Sequence, residues 1–185
     1  MDLINIDCEL DTRDLHLRRV RLADAEAMFA MLSDAESMKY WSSPPVSDVS
    51  DALKVLRKDV ESDARGDSIC WAVTLKGEDK MIGKCILFHF STANRRAEIG
   101  FILNREYWRR GLMHQALQAV IHFAFNTLEL HRIEADVDPD NAGSLGVLEK
   151  LGFEREGLFR DRWLMHGEWV HSVMLGLLNR DSPDE

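Results

Sequence analysis

Hydrophobic positions along this chain recur at two spacings, every second residue in some segments and every third or fourth residue in others. Residues 15–20 alternate, which predicts a first strand, and helical spacing predicts helices over residues 23–32 and 49–64. The next part of the chain is rich in β-branched and aromatic residues, and polar turns divide it into strands over residues 69–75, 81–90 and 97–103. Three short strands joined by short turns predict an antiparallel meander.

In the second half of the chain, predicted helices and strands alternate. The predicted segments are a helix over 111–128, a strand over 132–137, a short helix over 144–151, and a hairpin of strands over 159–165 and 170–177. One strand–helix–strand crossover predicts a parallel strand pair inside a mostly antiparallel sheet. The pattern therefore predicts an α/β (α+β) fold with a mixed sheet, in a single domain over residues 1–185.

Composition narrows the class of protein. Hydrophobic residues make up 45% of the chain and charged residues 30%, as in ordinary globular proteins. No apolar run approaches the roughly 18 residues of a membrane helix, so we expect no membrane partner. The acidic residues 1–14 lack the basic flank of a signal peptide. Cys8, Cys70 and Cys85 form no CxxC pair, and an odd number of cysteines without a signal peptide fits a reducing cytoplasm. Cys70 and Cys85 lie in apolar strand-like runs, which favours buried structural thiols over a catalytic cysteine.

The formal net charge of −9 bears on the partners. Nucleic-acid-binding proteins usually present a basic face, so we expect no direct nucleic-acid contact. An acidic protein favours a cationic substrate, such as an amine, a polyamine or a basic peptide end. Simple solubility explains the same charge equally well, so charge alone leaves both interpretations open.

The strongest local pattern lies where the strand over 97–103 ends and the helix over 111–128 begins. A tight basic loop containing Gly111 joins the two, and the free backbone N–H groups at such a helix start bind phosphate without side chains. Arg109 and Arg110 add positive charge for a pyrophosphate. The alternative is an ordinary helix start with a solvated arginine pair.

Several short motifs occur together in one order along the chain. They are Leu17-Arg18, Asp24-Ala25, Ser33-Asp34, Tyr40-Trp41, Glu98–Leu103, Tyr107–Met113, His131–Asn141, Ser144, Val147–Phe153 and Glu156-Gly157. Together they resemble the GNAT superfamily of acetyltransferases, most closely its ribosomal-protein N-terminal acetyltransferase (RimJ/RimL-like) branch. The resemblance implies a GNAT-like acyl-CoA N-acyltransferase fold, with a sheet splayed between the strands near 97–103 and 132–138. It also implies acetyl-CoA as the acetyl donor, and no metal.

The same resemblance implies where the cofactor binds. The turn would wrap the CoA pyrophosphate through backbone amides, and its residues are Arg109, Arg110, Gly111, Leu112, Met113 and His114. The strand would pair with the pantetheine arm through Phe101, Ile102 and Leu103. Asn141 would hydrogen-bond the pantetheine or a nearby backbone group, and Ser144 would lie close to the CoA sulfur.

Acetyl transfer needs a base for the amine and an acid for the leaving thiolate. Glu98 is the candidate general base, because a carboxylate beside the acetyl site accepts the ammonium proton directly or through water. Ser144 is the candidate acid, and N–H groups near Leu103 would polarise the thioester carbonyl. Many superfamily members carry a tyrosine acid where this chain has Leu148, and the branch often has an acidic residue where it has His171.

These residues also have plainer interpretations. Glu98 would face solvent or pair with Arg96, while Ser144 and Asn141 would only belong to a helix cap. A glycine often stands in the family where this chain has Arg109. Four tryptophans would either line an apolar acceptor cleft or pack elsewhere: Trp41, Trp108, Trp163 and Trp169.

The resemblance favours a primary amine as the acceptor, first of all a protein N-terminus such as that of a ribosomal protein. The alternatives are a small-molecule amine (a polyamine, an amino sugar or an amino-acid-like toxin), a non-catalytic acyl-CoA sensor, and an EF-hand loop over residues 138–149. The loop 42–47, the first helices and the hairpin around His166 would shape the acceptor cleft. A final strand at an exposed sheet edge would favour a homodimer.

Overall fold

The computed structural model describes residues 3–165 and 167–180 of the chain. In these ranges the chain forms one eight-stranded mixed sheet and four α-helices. The strands are β1 (Leu10–Asp11), β2 (Leu15–Arg19), β3 (Ile69–Leu75), β4 (Met81–Ser91), β5 (Arg96–Leu103), β6 (Arg132–Val137), β7 (Glu154–Met165) and β8 (Glu168–Leu178). The helices are α1 (Ala25–Leu32), α2 (Val49–Ala64), α3 (Leu112–Asn126) and α4 (Ala142–Lys150).

The strands lie side by side in the order β1-β2-β3-β4-β5-β6-β8-β7. Neighbouring strands are antiparallel except for β5 and β6, which are parallel and joined through the crossover helix α3. The predicted mixed sheet, the meander of β3 to β5 and the parallel pair are therefore confirmed. The two-residue strand β1 has no counterpart among the predicted segments, because a bridge this short leaves no periodic pattern.

β5 and β6 pair over only three residues of each strand. Residues 96–98 register with residues 132–134, and the rest of β5 pairs only with β4. β6 meanwhile continues to Val137 in its pairing with β8. The two strands diverge beyond Glu98, which confirms the predicted splay and leaves one side of the β5 backbone without a strand neighbour.

Each face of the sheet carries a hydrophobic core. Helices α3 and α4 pack on one face, where Ala97 and Ile99 of β5 are buried. Helices α1 and α2 cover the other face, to which Ile102 contributes. Because side chains alternate along a strand, Glu98 points to the α1 and α2 side of the sheet.

Local chemistry sets where the helices begin. The Asp48 carboxylate accepts hydrogen bonds from the N–H groups of Ser50 (2.7 Å) and Asp51 (3.2 Å), so α2 begins at the predicted residue. Helix α1 begins two residues later than predicted, because residues 22–24 form a 3₁₀ turn. Helix α3 begins at Leu112, because the backbone of residue 111 is left-handed.

β7 and β8 form a hairpin whose far half extends beyond β6. β8 lies between β6 and β7, and its pairing with β6 stops at Val173. The prediction that the final strand lies at an exposed edge is therefore wrong. β8 runs back along the open side of β6, and the two strands hydrogen-bond through their backbones. β7 is therefore left at the edge of the sheet. The predicted hairpin position His166 lies outside the described residues.

Candidate active site

The splay exposes one side of the β5 backbone. The N–H of Asn104 donates to the carbonyl oxygen of Ile82 on β4 at 2.8 Å. Because backbone groups alternate along a strand, Ile102 also directs its N–H to β4, whereas Phe101 and Leu103 direct theirs toward the splay. Of the three strand residues predicted to meet a pantetheine arm, the backbone therefore presents only Phe101 and Leu103.

Leu103 holds a second contact in this region. Its carbonyl oxygen accepts a hydrogen bond from the indole Nε1 of Trp108 at 2.7 Å. The carbonyl is thus occupied, while the N–H of Leu103 faces the splay. Trp108, a candidate for lining the acceptor cleft, is tied to the end of β5 and stays 38% exposed.

The turn after β5 brings a helix start next to the splay. Residues 105–107 form a 3₁₀ turn, and Arg109 (φ 60°) and Gly111 (φ 73°) are both left-handed. The first α-helical bond of α3 runs from the N–H of Gln115 to the carbonyl of Gly111 at 3.2 Å, and no side chain caps the helix. The N–H groups of Leu112, Met113 and His114 are therefore free at the positive end of a fifteen-residue helix. This arrangement binds anions.

The side chains of this turn divide between solvent and core. Arg109 and Arg110 are exposed, and the Arg110 guanidinium lies 5.4 Å from the ring centre of Tyr107. Leu112 and Met113 are buried, and Met113 Sδ lies 3.7 Å from Cys85 Sγ. The turn thus offers backbone N–H groups and two arginines to a ligand, while its apolar side chains anchor it to the core.

Glu98 lies at the last residue of β5 that pairs with β6. Its side chain is 22% exposed, and its Oε1 lies 3.1 Å from Nδ1 of His89 on β4. Arg96, the partner expected in the plainer interpretation, instead forms an ion pair with Glu134. The expected pairing of Glu98 with Arg96 is therefore wrong. Arg96 is in register with Arg132 of β6, and its guanidinium reaches Glu134 two residues further along that strand.

The start of α4 separates the roles of two predicted residues. Asn141 is the N-cap, and its Oδ1 accepts a hydrogen bond from the N–H of Ser144 at 3.0 Å. The capping interpretation of Asn141 is thus confirmed, and the cap uses only the backbone of Ser144. Leu148, one turn later, is fully buried in the core under α3. Ser144, near the N-terminus of α4, therefore keeps a half-buried hydroxyl that the cap does not use.

Sequence patterns missed Asp136, a second carboxylate on the same face of the sheet as Glu98. Its side chain is 16% exposed and lies on β6 beyond the splay point. It accepts hydrogen bonds from Ser172 Oγ and, at 3.4 Å, from Trp163 Nε1, and it lies 3.5 Å from Arg162 Nε. These partners come from β7 and β8, so only the tertiary pairing of the hairpin identifies the group. His89 was missed for a similar reason, since a register shift in β4 sets its position.

Other candidates lie away from these groups or have no ligand geometry. Trp41 is partly buried against the α1 and α2 core, and Trp169 is 62% exposed on the hairpin. His171 accepts the N–H of Asp161 at 3.0 Å. Residues 138–149 of the EF-hand alternative form a turn and helix α4 directly after a strand, not a helix–loop–helix. Within residues 3–165 and 167–180, no group of three or more His, Cys, Asp or Glu is arranged to hold a metal ion.

No helix in the described ranges has the length and apolar character needed to span a membrane. The sequence profile described as an acetyltransferase (GNAT) domain matches residues 14–154. An uncharacterized N-acetyltransferase of Bacillus licheniformis is 36% identical over 172 residues, which cover 93% of this chain and 97% of the relative.

Two relatives carry names that specify an acceptor. The ribosomal protein uS5 alanine N-acetyltransferase of Escherichia coli (strain K12) is 36% identical over 83 residues, or 45% of this chain and 43% of that enzyme. The spermidine N(1)-acetyltransferase of the same organism is 23% identical over 159 residues, or 86% of this chain and 83% of that enzyme.

Solved structures resemble the chain over nearly its whole length. A GNAT-family acetyltransferase of Bacillus anthracis superposes with a TM-score of 0.81 at 28% identity, covering 92% of this chain and 98% of the other. RimJ of Mycobacterium smegmatis, in complex with CoA-disulfide, superposes with a TM-score of 0.82 at 25% identity, covering 96% and 89%.

Proposed function

The chain belongs to the GNAT family of N-acetyltransferases, and from that premise we propose that it transfers the acetyl group of acetyl-CoA to a protein N-terminal amine. One observation carries the proposal: the open side of β5 connects a helix start that binds anions with a carboxylate at the splay point. A thioester substrate with a pyrophosphate at one end spans such a path. Residues 1–185 act as one domain in this proposal.

The donor half of the substrate binds mainly to backbone. The N–H groups at the start of α3, from Leu112 to His114, hold the pyrophosphate, with Arg109 and Arg110 adding charge. The N–H groups of Phe101 and Leu103 pair with the pantetheine amides, as an added strand pairs with a sheet edge. The uncapped helix start supports the first contact, and the missing strand neighbour of β5 supports the second.

The chemistry is a direct transfer without a covalent enzyme intermediate. Glu98 takes a proton from the ammonium group, directly or through one water, and the freed nitrogen attacks the thioester carbonyl. Another backbone N–H group on the open side of β5 stabilises the oxyanion that forms. The carbon–sulfur bond then breaks, and the Ser144 hydroxyl gives a proton to the CoA thiolate. The proton that the attacking nitrogen loses as the amide forms passes through water and restores the Ser144 hydroxyl. The position of Glu98 at the point where β5 and β6 stop pairing supports its role, and the absence of any capping duty for the Ser144 hydroxyl supports the role of Ser144.

A protein N-terminus is the first candidate acceptor, and a small amine is the second. The E. coli relative named for ribosomal protein uS5 supports the first, and the spermidine acetyltransferase supports the second. The half-buried carboxylates of Glu98 and Asp136 lie on the α1 and α2 side of the sheet, which we take as the acceptor side. Their negative charge suits any cationic amine. The proposed compartment is the cytoplasm, where free cysteines stay reduced. The exposed edge strand β7 makes a second copy of the chain a candidate partner.

Calorimetric titration with acetyl-CoA, followed by a thiol-release assay over an acceptor panel, tests the proposal. The panel contains peptides with free N-terminal alanine or serine, the same peptides with blocked N-termini, spermidine and an amino sugar. Binding with turnover of only the free peptides supports the proposal. Faster turnover of spermidine or the amino sugar replaces it by the small-amine function. Binding without turnover favours a sensor, and no binding overturns acetyl-CoA as the donor.

A further inference from the structure

His89 has an unusual backbone for its residue type. Its φ is 51°, in the left-handed region that favours glycine, although it lies inside strand β4. The ladder between β4 and β5 shifts register between Phe88 and Ser91, so His89 lies in a bulge opposite the first residues of β5. Strained backbone of this kind persists where the surroundings demand it and clusters at functional sites. The bulge re-aims the imidazole toward a neighbouring strand.

The re-aimed ring joins Glu98 to bulk water. His89 Nδ1 lies 3.1 Å from Glu98 Oε1, and the ring centre lies 4.6 Å from that of Phe88. The His89 side chain is 69% exposed, whereas that of Glu98 is only 22% exposed. One side of the imidazole therefore contacts the candidate base while the other side faces solvent.

Other charged groups near this pair have partners of their own. Glu134 on β6, in register with Glu98, is paired with Arg96 and Arg132. Further along the same face, Lys84 of β4 is paired with Asp59 of α2 at 2.7 Å. Arg95 lies in the turn that joins β4 to β5, and its carbonyl accepts hydrogen bonds from the N–H groups of residues 131 and 132. Within the described part of the chain, the imidazole of His89 is the one side chain recorded in hydrogen-bond contact with the Glu98 carboxylate.

We propose that His89 is a positioning residue that orients Glu98 and carries the abstracted proton to solvent. The proposal rests on the proposed function, in which Glu98 is the base. The ammonium N–H bond breaks as an O–H bond forms on Glu98. That O–H bond then breaks as Nδ1 of neutral His89 takes the proton, and the imidazolium loses its Nε2 proton to water. Glu98 is then a carboxylate again, and His89 is left with its proton on Nδ1, where it donates a hydrogen bond to that carboxylate. Proton exchange between water and the exposed ring restores the Nε2–H form before the next transfer, so the step needs no reactant other than water.

Chemical rescue separates this role from a structural one. His89→Gly fits the left-handed backbone, and we expect its kcat to fall about tenfold, with acetyl-CoA affinity unchanged. Added imidazole restores most of the lost rate, and substituted imidazoles restore it to a degree that follows their pKa. The matched control is Glu129→Gly, which also replaces an exposed left-handed residue (φ 54°) but lies in the turn before β6. It keeps full activity and does not respond to imidazole.

Two further variants make the result unambiguous. His89→Asn tolerates the same backbone and can donate a hydrogen bond but cannot carry a proton, so we expect it to stay slow. Combining His89→Gly with Glu98→Gln should cost no more than Glu98→Gln alone, because His89 acts through Glu98. Wild-type rates in His89→Gly, full activity in His89→Asn, or additive losses would each overturn the proposal. Inactivity of the wild-type protein on every acceptor would instead overturn the proposed function.

Discussion

The splay has two sides of different construction. The proposed donor side is formed by the start of α3 and the open backbone of β5, and the proposed acceptor side holds Glu98 and Asp136. On the proposed donor side, the groups that would meet the ligand are backbone N–H groups at the start of α3 and along β5. On the acceptor side, the polar groups are side chains held by other side chains, as Glu98 is by His89 and Asp136 is by Ser172. The first kind of site depends on local chain conformation, and the second depends on which strands are neighbours.

This difference explains which substitutions each side tolerates. Arg109 stands where the family often has glycine, and its left-handed φ of 60° shows why glycine suits the position. Met113 points into the core, so its size matters for packing, and the N–H that it offers is the same for any residue. On the proposed acceptor side, changing one residue would leave its partner unpaired, so we expect single substitutions to change the specificity of the site.

The largest effect that would break this comparison is expected at Glu98. Glu98→Gln keeps the size of the side chain but cannot accept the ammonium proton, so we expect kcat to fall by about 10²- to 10⁴-fold. Acetyl-CoA affinity, measured by calorimetry, should stay unchanged because the donor side is intact. Glu78→Gln, an exposed change in the turn before β4, is the control. Unchanged turnover across pH would remove Glu98 as the base.

Ser144 is an exception on the proposed donor side, because it would act through its side chain and not through its backbone N–H. Ser144→Ala removes the hydroxyl but keeps the N–H that Asn141 caps, so kcat should fall by about 100-fold or less while thermal stability is retained. Asn141→Ala removes the cap itself and should cost about 1 kcal/mol of folding stability. Steady-state kinetics and thermal unfolding of both variants check the pair. A normal kcat in Ser144→Ala would mean that water, not Ser144, protonates the CoA thiolate.

Gly111 tests the donor backbone directly. An ideal Cβ at Gly111 meets no atom within 4 Å, so the cost of Gly111→Val comes from its φ of 73°. That strain is about 1–2 kcal/mol, and relieving it moves the helix start, so we expect acetyl-CoA affinity to fall about tenfold. Gly77→Val is a matched control, with a φ of 81° and equally open surroundings in the turn before β4. It should lose similar stability but bind acetyl-CoA normally. Equal acetyl-CoA affinities in the two variants would mean that the phosphate site does not lie at Gly111.

The smallest expected effect is on the thiols. Cys8, Cys70 and Cys85 are free and buried, and burial was predicted for Cys70 and Cys85. Burial raises the pKa of Cys70 and of Cys85 to about 12, and it also raises the pKa of Cys8. At pH 8, far below the raised pKa values of Cys70 and Cys85, almost no thiolate forms at these two residues, so the native protein should release almost no colour from a disulfide reagent. Rapid reaction of a thiol in native protein would contradict this burial.

Segments with a strong local pattern were predictable almost to the residue. The strand Ile69–Leu75 and the helix Val49–Ala64 have the predicted bounds, because β-branched and aromatic residues mark the buried strand and helical spacing of apolar residues marks the helix. Ends set by backbone conformation were less predictable, as the 3₁₀ turn before α1 shows. The edge strand was predicted wrongly because strand order depends on long-range pairing, which a local pattern does not contain.

The sequence by itself determined the family, the order of the helices and strands other than β1, and the position of the turn that we propose binds phosphate, because these follow from local periodicity and short motifs along the chain. Only the tertiary structure decided that Glu98 contacts His89 rather than Arg96, and that Asp136 joins it on one face. The physical reason is that a bulge or a returning strand changes which side chains face each other. Its effect appears only when residues distant in the chain are brought together.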